Sequence, residues 1–279
     1  GRPGLPILRD PQTVERVEVL ILESTYGNRR HESLGEAREA LRQAAQQCYQ
    51  QRGKLLIPCF AVGRTQEIVF RLDQMWEEGG LPPLDVFVDS PLAINVTEVF
   101  RMHPECYDDE VLNALLSEAD RDPFGFNRLR YTRSTAESKQ LNELTTPAII
   151  ISASGMCEAG RILHHLKNNL EDERTIVLFV GFQAENTLGR KLLDGQDPVP
   201  VFGQKYRVRA QIKRAEGYSA HADQAELLAW VARMQAGSRL QRVILVHGEN
   251  ESRQALAQHL AEQGLPDVAM PERGQRLEL

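Results

Sequence analysis

Short apolar runs alternate with longer amphipathic stretches along most of this 279-residue chain. Runs of four to six apolar residues are typical of strands, whereas stretches of ten or more residues with apolar positions at helical spacing are typical of helices. Their alternation indicates strand-helix units around a parallel sheet, so we predict an α/β fold. The predicted strands cover residues 17–22, 55–57, 86–88, 148–151, 175–180, 206–212 and 242–246.

The start of the first long helix is marked by its capping residues. Ser33 and Glu36 have the spacing of a capping box, and Ala37 and Leu41 follow at helical intervals. Gly53 is expected to end this helix. Further helices are predicted at residues 65–78, after the Asp-Ser-Pro sequence at 89–91, and at 224–234 and 252–262.

The same pattern divides the chain into three segments. Residues 35–198 carry the repeated strand-helix pattern and are predicted to form one α/β domain, although the pattern weakens between residues 104 and 143. From residue 201 onward the pattern of polar and apolar residues changes, because residues 206–212 alternate between the two as in a strand with one solvent-facing side. We therefore predict the segments 1–34, 35–198 and 199–279.

Reactive side chains follow several of the predicted strands, where ligands bind in open parallel sheets. Glu23 follows the first strand and orients a histidine, accepts a proton or forms a plain turn. His247 follows strand 242–246 and is either a metal ligand or a strand-end histidine bonded to backbone. His221 lies in a polar turn before a helix, as either a general acid or base or a member of a helix-capping turn.

A second group of polar residues suits phosphate. Ser152, Ser154 and Gly155 follow strand 148–151, and their hydroxyl and backbone N–H groups suit phosphate oxygens, with an ordinary glycine turn as the alternative. The adjacent His164 and His165 cannot share one face of their predicted helix and are expected to face solvent. The same is expected of three histidines that stand without partners, His31, His103 and His259. Five cations within ten residues either steer phosphates or form a solvated face: Lys205, Arg207, Arg209, Lys213 and Arg214.

Composition excludes several classes of protein. The 33 basic and 39 acidic side chains give a net charge of -6, which argues against a histone-like protein held to nucleic acid by bulk charge. The longest uncharged stretch, residues 144–157, is shorter than the roughly 20 apolar residues of a membrane span. No signal peptide is apparent, and the four cysteines include no Cys-x-x-Cys pair, which favours reduced cysteines and a cytoplasmic location.

The polar turns resemble the motifs of the β-CASP branch of the metallo-β-lactamase superfamily, a group of RNA- and DNA-cutting nucleases. Residues 22–27 (LESTYG) look like motif A of that family, residues 219–223 (SAHAD) like motif B, and residues 246–249 (VHGE) like motif C. The resemblance spans nearly the whole chain. Supporting blocks occur at residues 57–67, 89–93 and 152–156.

The resemblance implies a zinc-dependent ribonuclease with two zinc ions in the full-length enzyme. Glu23 and His221 would act near the metals, His221 as the acid that protonates the leaving oxygen, and His247 would ligate zinc. A histidine in motif C favours RNA over DNA, so single-stranded RNA is the expected substrate and partner. The implied substrate-binding residues are Arg64, Ser152, Ser154, Gly155 and Ser219.

One part of the family pattern is missing. The His-x-His-x-Asp-His motif does not occur, so we expect a fragment with an inserted β-CASP domain at 35–198, a motif A segment of the αββα lactamase domain at 1–34, and its C-terminal part at 199–279. The zinc site of this chain alone is then incomplete or absent, and the fragment inactive. The alternatives are a non-catalytic RNA-binding scaffold and, less well supported, a small-molecule hydrolase. We expect no membrane partner and consider a homodimer.

Overall fold

The computed structural model describes residues 2–12, 14, 16–117, 122–237, 239–265 and 267–278. The chain divides into two compact units. Unit 1 comprises Gly1–Leu5, Asp10–His31 and Ala220–Leu279, and unit 2 comprises Pro6–Arg9 and Glu32–Ser219. Within the described ranges, we find no helix with the length and apolar character needed to cross a membrane.

The predicted α/β class is confirmed by the order of the elements. The strands are β1 (Val19–Glu23), β2 (Lys54–Pro58), β3 (Asp85–Val88), β4 (Leu129–Tyr131), β5 (Ala148–Ser152), β6 (Ile176–Phe179), β7 (Val199–Val201), β8 (Gln204–Tyr206), β9 (Gln211–Arg214), β10 (Arg242–Val246) and β11 (Val268–Ala269). The α-helices are α1 (Leu34–Gln51), α2 (Arg64–Glu77), α3 (Pro91–Met102), α4 (Asp109–Ser117), α5 (Thr135–Glu143), α6 (Ile162–Asn169), α7 (Leu188–Leu193), α8 (Gln224–Gly237) and α9 (Asn250–Glu262).

Unit 2 is built on a six-stranded parallel sheet in the order β4-β3-β5-β2-β6-β9. The central strands β2, β5 and β6 are buried along their whole length, as expected for a parallel sheet covered on both faces. Leu55 and Ile57 belong to one apolar cluster and Leu56 to the other, because successive side chains of a strand point to opposite faces.

The capping box at the start of α1 is present as predicted. The Glu36 N–H donates to Ser33 Oγ at 3.1 Å, and the Ser33 N–H donates to the Glu36 carboxylate at 2.8 Å. At the other end, Arg52 caps the helix in the left-handed region with φ of 54°. Gly53 is needed for a close approach, because a Cβ there would lie 1.8 Å from the carbonyl oxygen of Arg174.

The predicted strand at residues 206–212 is wrong, because the chain leaves the strand conformation between β8 and β9. β8 pairs with β7 in an antiparallel hairpin, whereas β9 joins the edge of the parallel sheet beside β6. The N–H groups of Arg209 and Ala210 both donate to the Leu170 carbonyl at 2.9 Å instead of to a neighbouring strand. The alternating sequence therefore serves two different sheets.

Unit 1 contains a three-stranded parallel sheet in the order β1-β10-β11. Its inward side chains pack with α8 and α9 in an apolar cluster that includes Leu22, Val243, Val231 and Leu256. β1 and β10 pair in register, with Glu23 opposite Val246. Both strands therefore end at the same edge of this sheet.

Candidate active site

Three polar segments of unit 1 meet at the edge where β1 and β10 end. Glu23 is the last residue of β1, and His247 directly follows β10. A parallel bridge between Tyr26 and Asp223 brings the turn with His221 to the same edge. The three residues Glu23, His221 and His247 offer donor atoms that all lie within 4.8 Å of one another.

His221 is held against Glu23 by its ring and by its loop. His221 Nδ1 lies 2.8 Å from Glu23 Oε2, and the Ala222 N–H donates to Glu23 Oε1 at 3.2 Å. The ring of His221 stacks on that of His247, with centroids 5.0 Å apart and an angle of 25° between the planes. Glu23 therefore binds both the side chain and the backbone of the turn that carries His221.

The Glu23 carboxyl group is ionised at neutral pH. Burial would raise the pKa of Glu23, but hydrogen bonds from His221 and Thr25 hold it below its ordinary value. A carboxylate only accepts hydrogen bonds, so the ring proton of His221 lies on Nδ1 and points to Glu23. Nε2 of His221 is then the nitrogen that can exchange a proton with a bound substrate.

Thr25, which the sequence prediction did not include, connects Glu23 with His247. Its hydroxyl donates to Glu23 Oε2 at 2.5 Å and lies 3.1 Å from His247 Nδ1. One hydroxyl carries one proton, and the shorter contact assigns that proton to Glu23. Thr25 then accepts from His247 Nδ1–H, which leaves the lone pair of His247 Nε2 for another ligand.

Close packing fixes the turn that holds His247. Its backbone adopts φ of 51°, a left-handed conformation that is uncommon outside glycine. The next residue, Gly248, has no room for a side chain, because a Cβ would lie 2.5 Å from Ser24 Oγ and 2.6 Å from its carbonyl oxygen. The Ser24 hydroxyl also donates to the Val246 carbonyl at 2.9 Å. The glycine of motif C is thus required by the approach of the motif A turn.

His31 also contacts this turn. Its Nε2 lies 2.9 Å from the carbonyl oxygen of His221, and its backbone N–H donates to Asp223 Oδ2 at 2.9 Å. The expectation that His31 faces solvent without a partner is wrong. Its distance of 190 positions along the chain from His221 gave no local signal of this contact.

The predicted phosphate-binding residues lie in unit 2 and have internal partners. The Ser152 hydroxyl donates to the Asp89 carbonyl at 2.8 Å, and Ser154 Oγ accepts the N–H groups of Glu158 and Ala159 at 3.0 and 3.2 Å. A Cβ at Gly155 would lie 2.8 Å from the Phe60 ring, so glycine is required there. These contacts explain the turn, and a role in phosphate binding stays a prediction.

Arg64 and Ser219, also in unit 2, are buried. Arg64 begins α2, and its guanidinium donates to the carboxylate of Glu67. Ser219 follows a short 3-10 helix and donates its N–H to the Glu216 carbonyl at 2.9 Å. Their proposed contacts with substrate stay predictions.

A buried ionic network in unit 2 centres on Asp89, directly after β3. Asp89 Oδ2 lies 2.7 Å from His165 Nε2 and accepts the Ser138 hydroxyl at 2.6 Å, while Oδ1 accepts Arg161 Nη1 at 2.7 Å. Burial opposes ionisation of Asp89, yet these donors hold its pKa below the ordinary value. The expectation that His165 faces solvent is wrong, since its side chain is fully buried.

Part of the basic stretch is paired with acidic or polar groups of unit 2. Arg207 lies 3.3 Å from Asp197, Arg214 lies 3.9 Å from Glu216, and Lys213 donates to the side chain of Gln47. The side chains of Arg207 and Arg214 nevertheless remain 68% and 67% exposed. Both the phosphate-steering and the solvated-face interpretations stay open.

The donor set of unit 1 fits part of a zinc site. His247 is exposed, and its Nε2 lone pair suits zinc, which binds imidazole nitrogen. Glu23 and His221 already satisfy each other through a 2.8 Å hydrogen bond. A catalytic zinc ion normally takes three protein ligands and a water molecule, so this set does not by itself hold two zinc ions.

Comparisons with known proteins show that two regions of the chain match family models. Residues 65–192 match the model of the Beta-Casp domain, and residues 205–271 match that of a Zn-dependent metallo-hydrolase RNA specificity domain. The chain is 34% identical over 264 residues to Ribonuclease TTHA0252 of Thermus thermophilus, a match that covers 95% of this chain and 59% of the relative.

Two further relatives show the same coverage pattern. Transcription termination factor FttA of Methanosarcina mazei is 29% identical over 244 residues, covering 85% of this chain and 38% of the relative. The FttA of Thermococcus kodakarensis is 32% identical over 241 residues, covering 84% and 36%. The chain therefore spans between about a third and three fifths of the length of the curated relatives that it matches.

Proposed function

From the premise that this chain belongs to the β-CASP family of the metallo-β-lactamase superfamily, we infer that its protein hydrolyses phosphodiester bonds of single-stranded RNA. The observation that carries this proposal is the Glu23–His221–His247 cluster, whose donor atoms lie within 4.8 Å of one another at one sheet edge. The segment with His221 and His247 matches the family model of a Zn-dependent metallo-hydrolase RNA specificity domain, and one relative is named a ribonuclease. Both findings support the same class of reaction.

The zinc ions belong to this proposal. In the full-length protein, two zinc ions would polarise the phosphoryl group and supply a hydroxide nucleophile at neutral pH. His247 would contribute its Nε2 to this site, because Thr25 occupies the Nδ1 side of the ring. The 279-residue chain by itself would hold an incomplete site.

His221 would act as the general acid. In its protonated form, Nδ1–H stays bonded to the ionised Glu23 at 2.8 Å, and this carboxylate stabilises the positive charge. Nε2–H would then protonate the leaving 3′ oxygen, which yields a 5′ phosphate and a 3′ hydroxyl. A second bond, from Thr25 to the same carboxylate oxygen, limits rotation of Glu23 and keeps the pair aligned.

The remaining proposed roles concern RNA binding. Single-stranded RNA would contact the exposed cations of residues 205–214 and phosphate-binding groups of unit 2. The residues proposed to bind substrate are Arg64, Ser152, Ser154, Gly155 and Ser219. A homodimer and a cytoplasmic location also stay predictions.

Cleavage by the full-length protein tests the proposal. We expect single-stranded RNA to be cut with zinc present, and His221→Ala to lower turnover by about 10²-fold or more because proton transfer is lost. His259→Ala is the matched control, since His259 is an exposed histidine of unit 1 that pairs with Glu262. Absence of cleavage by the zinc-loaded wild type would favour the non-catalytic RNA-binding scaffold. Activity of His221→Ala equal to that of His259→Ala would refute the acid role.

A further inference from the structure

His31 contacts the turn that carries His221 through its ring and through its backbone. The ring contact joins His31 Nε2 to the His221 carbonyl oxygen at 2.9 Å, and the backbone contact joins the His31 N–H to Asp223 Oδ2 at 2.9 Å. Asp223 Oδ1 accepts the N–H of Glu226, at the start of α8. His31, in the segment after motif A, thus contacts the residues on either side of Ala222, namely His221 and Asp223.

The hydrogen bond to the His221 carbonyl fixes which nitrogen of the His31 ring carries the proton. A carbonyl oxygen only accepts hydrogen bonds, so Nε2 must carry the proton. Burial is the main cause that lowers the pKa of His31, and the neutral ring then has its lone pair on Nδ1. Nδ1 makes no hydrogen bond within the described ranges, so the polar function of this ring is directed at His221.

The His31 ring is also fixed by packing. The fully buried ring of Tyr26 meets it edge to face, with centroids 4.3 Å apart and an angle of 69° between the planes. The guanidinium of Arg29 lies over the Tyr26 ring, 4.9 Å from its centroid. The donor that holds the His221 carbonyl is therefore on a side chain with little freedom to rotate.

We propose that His31 is a positioning residue, which fixes the backbone of His221 so that the imidazole keeps its alignment with Glu23. This inference rests on the proposed nuclease function. The His221 turn is held on one side by Glu23, through Ala222 N–H, and on the other by His31, through the His221 carbonyl. Loss of the second contact frees the peptide to rotate, and catalytic groups must be held to within about 0.5 Å to act efficiently.

Two variants of similar polarity test this role in the full-length protein. In His31→Gln, the amide nitrogen reaches approximately the position of Nε2 and can donate to the His221 carbonyl. In His31→Asn, the side chain is one methylene shorter, and its amide nitrogen reaches only the position of Nδ1. Both variants place an amide in the same partly buried space, so they differ chiefly in the hydrogen bond to be tested.

We expect His31→Asn to lower kcat by about 10- to 100-fold with KM changed less than about threefold, because His31 acts through alignment and does not touch substrate. His31→Gln should keep kcat within about threefold of the wild type. His259→Asn, at an exposed histidine of the same unit, should leave both constants unchanged. Equal kcat values for His31→Gln and His31→Asn, whether both high or both low, would overturn the proposal.

A readout without RNA separates this inference from the proposed function. Nitrogen-15 NMR of the histidine rings should show a proton on Nε2 of neutral His31, and the ring signals of His221 should shift in His31→Asn and less in His31→Gln. Should the wild type fail to cut RNA while these shifts occur, the nuclease proposal fails and the positioning contact stands. Unshifted His221 signals in His31→Asn would overturn the contact even if the wild type is an active nuclease.

Discussion

Replacement of Asp89 by asparagine removes the charge at the centre of a buried network while keeping the size of the side chain. Asp89 is fully buried and accepts hydrogen bonds from Ser138, His165 and Arg161 at 2.6 to 2.7 Å. An asparagine has one amide oxygen for three donors, and its NH₂ group would face at least one of them. The substitution therefore leaves Arg161 without its anion and places two donors against each other.

The expected loss follows from these partners. Hydrogen bonds to a charged group contribute roughly 1.5 to 3 kcal/mol each, and removal of one partner of a buried ion pair costs about 3 to 5 kcal/mol. The three donors share one carboxylate, so their contributions are not additive. We expect Asp89→Asn to lower the free energy of unfolding of unit 2 by about 3 to 5 kcal/mol.

Urea unfolding followed by the fluorescence of Trp76 measures this loss. The chain has two tryptophans, Trp76 in unit 2 and Trp230 in unit 1, so a Trp230→Phe background isolates the signal of unit 2. Asp194→Asn is the matched control, because Asp194 pairs with Arg190 at 2.9 Å on the surface and its side chain is 59% exposed. An exposed pair contributes about 0 to 1 kcal/mol. A loss for Asp89→Asn no larger than that for Asp194→Asn would refute the reasoning.

Three further predictions concern pH, substrate and metal. The pKa of Asp89 is lower in the folded protein than in the unfolded chain. Its contribution to stability is therefore fully present above the unfolded pKa, near pH 4, and is lost as pH falls through the folded pKa. Between pH 7 and pH 3, the urea midpoint of the wild type should fall more than that of Asp89→Asn, and parallel curves would contradict this. The full-length protein should cut single-stranded RNA faster than matched DNA, and equal or faster DNA turnover would argue against the role assigned to His247. After dialysis, elemental analysis of the 279-residue chain should find fewer than two zinc ions per chain, and two tightly held ions would show that the metal site has been misplaced.

The sheets could be predicted where the apolar runs are short and continuous. Strand β10 begins and ends as predicted, and β2 and β5 extend the predicted ranges by one residue or two. The strand prediction was wrong for residues 206–212, whose alternating polarity suits either a hairpin or a sheet edge. Which carbonyl the N–H groups of Arg209 and Ala210 reach depends on the position of Leu170, which no local pattern specifies.

The burial of His165 could have been predicted from helical spacing. Ile162, Leu166 and Asn169 are buried along one face of α6, and His165 lies on that face, whereas His164 is exposed. Adjacency of the two histidines showed that they point in different directions, but not that one of them points inward. Its partner Asp89 follows another strand, 76 positions away, and that pairing could not be found from the spacing.

The position of Glu23 in the candidate site follows from the alternating burial of side chains along β1. Leu20 and Leu22 are buried and Ile21 is 67% exposed, so residue 23 must point away from the side on which Leu22 packs. A slip of one residue would place Glu23 against the apolar cluster of unit 1, which is costly for a carboxylate. The register with β10, in which Glu23 lies opposite Val246, is thus fixed by hydrophobic packing. Thr25 and His31 depend instead on side-chain hydrogen bonds across about 190 to 220 positions, so their roles emerge only from the folded chain.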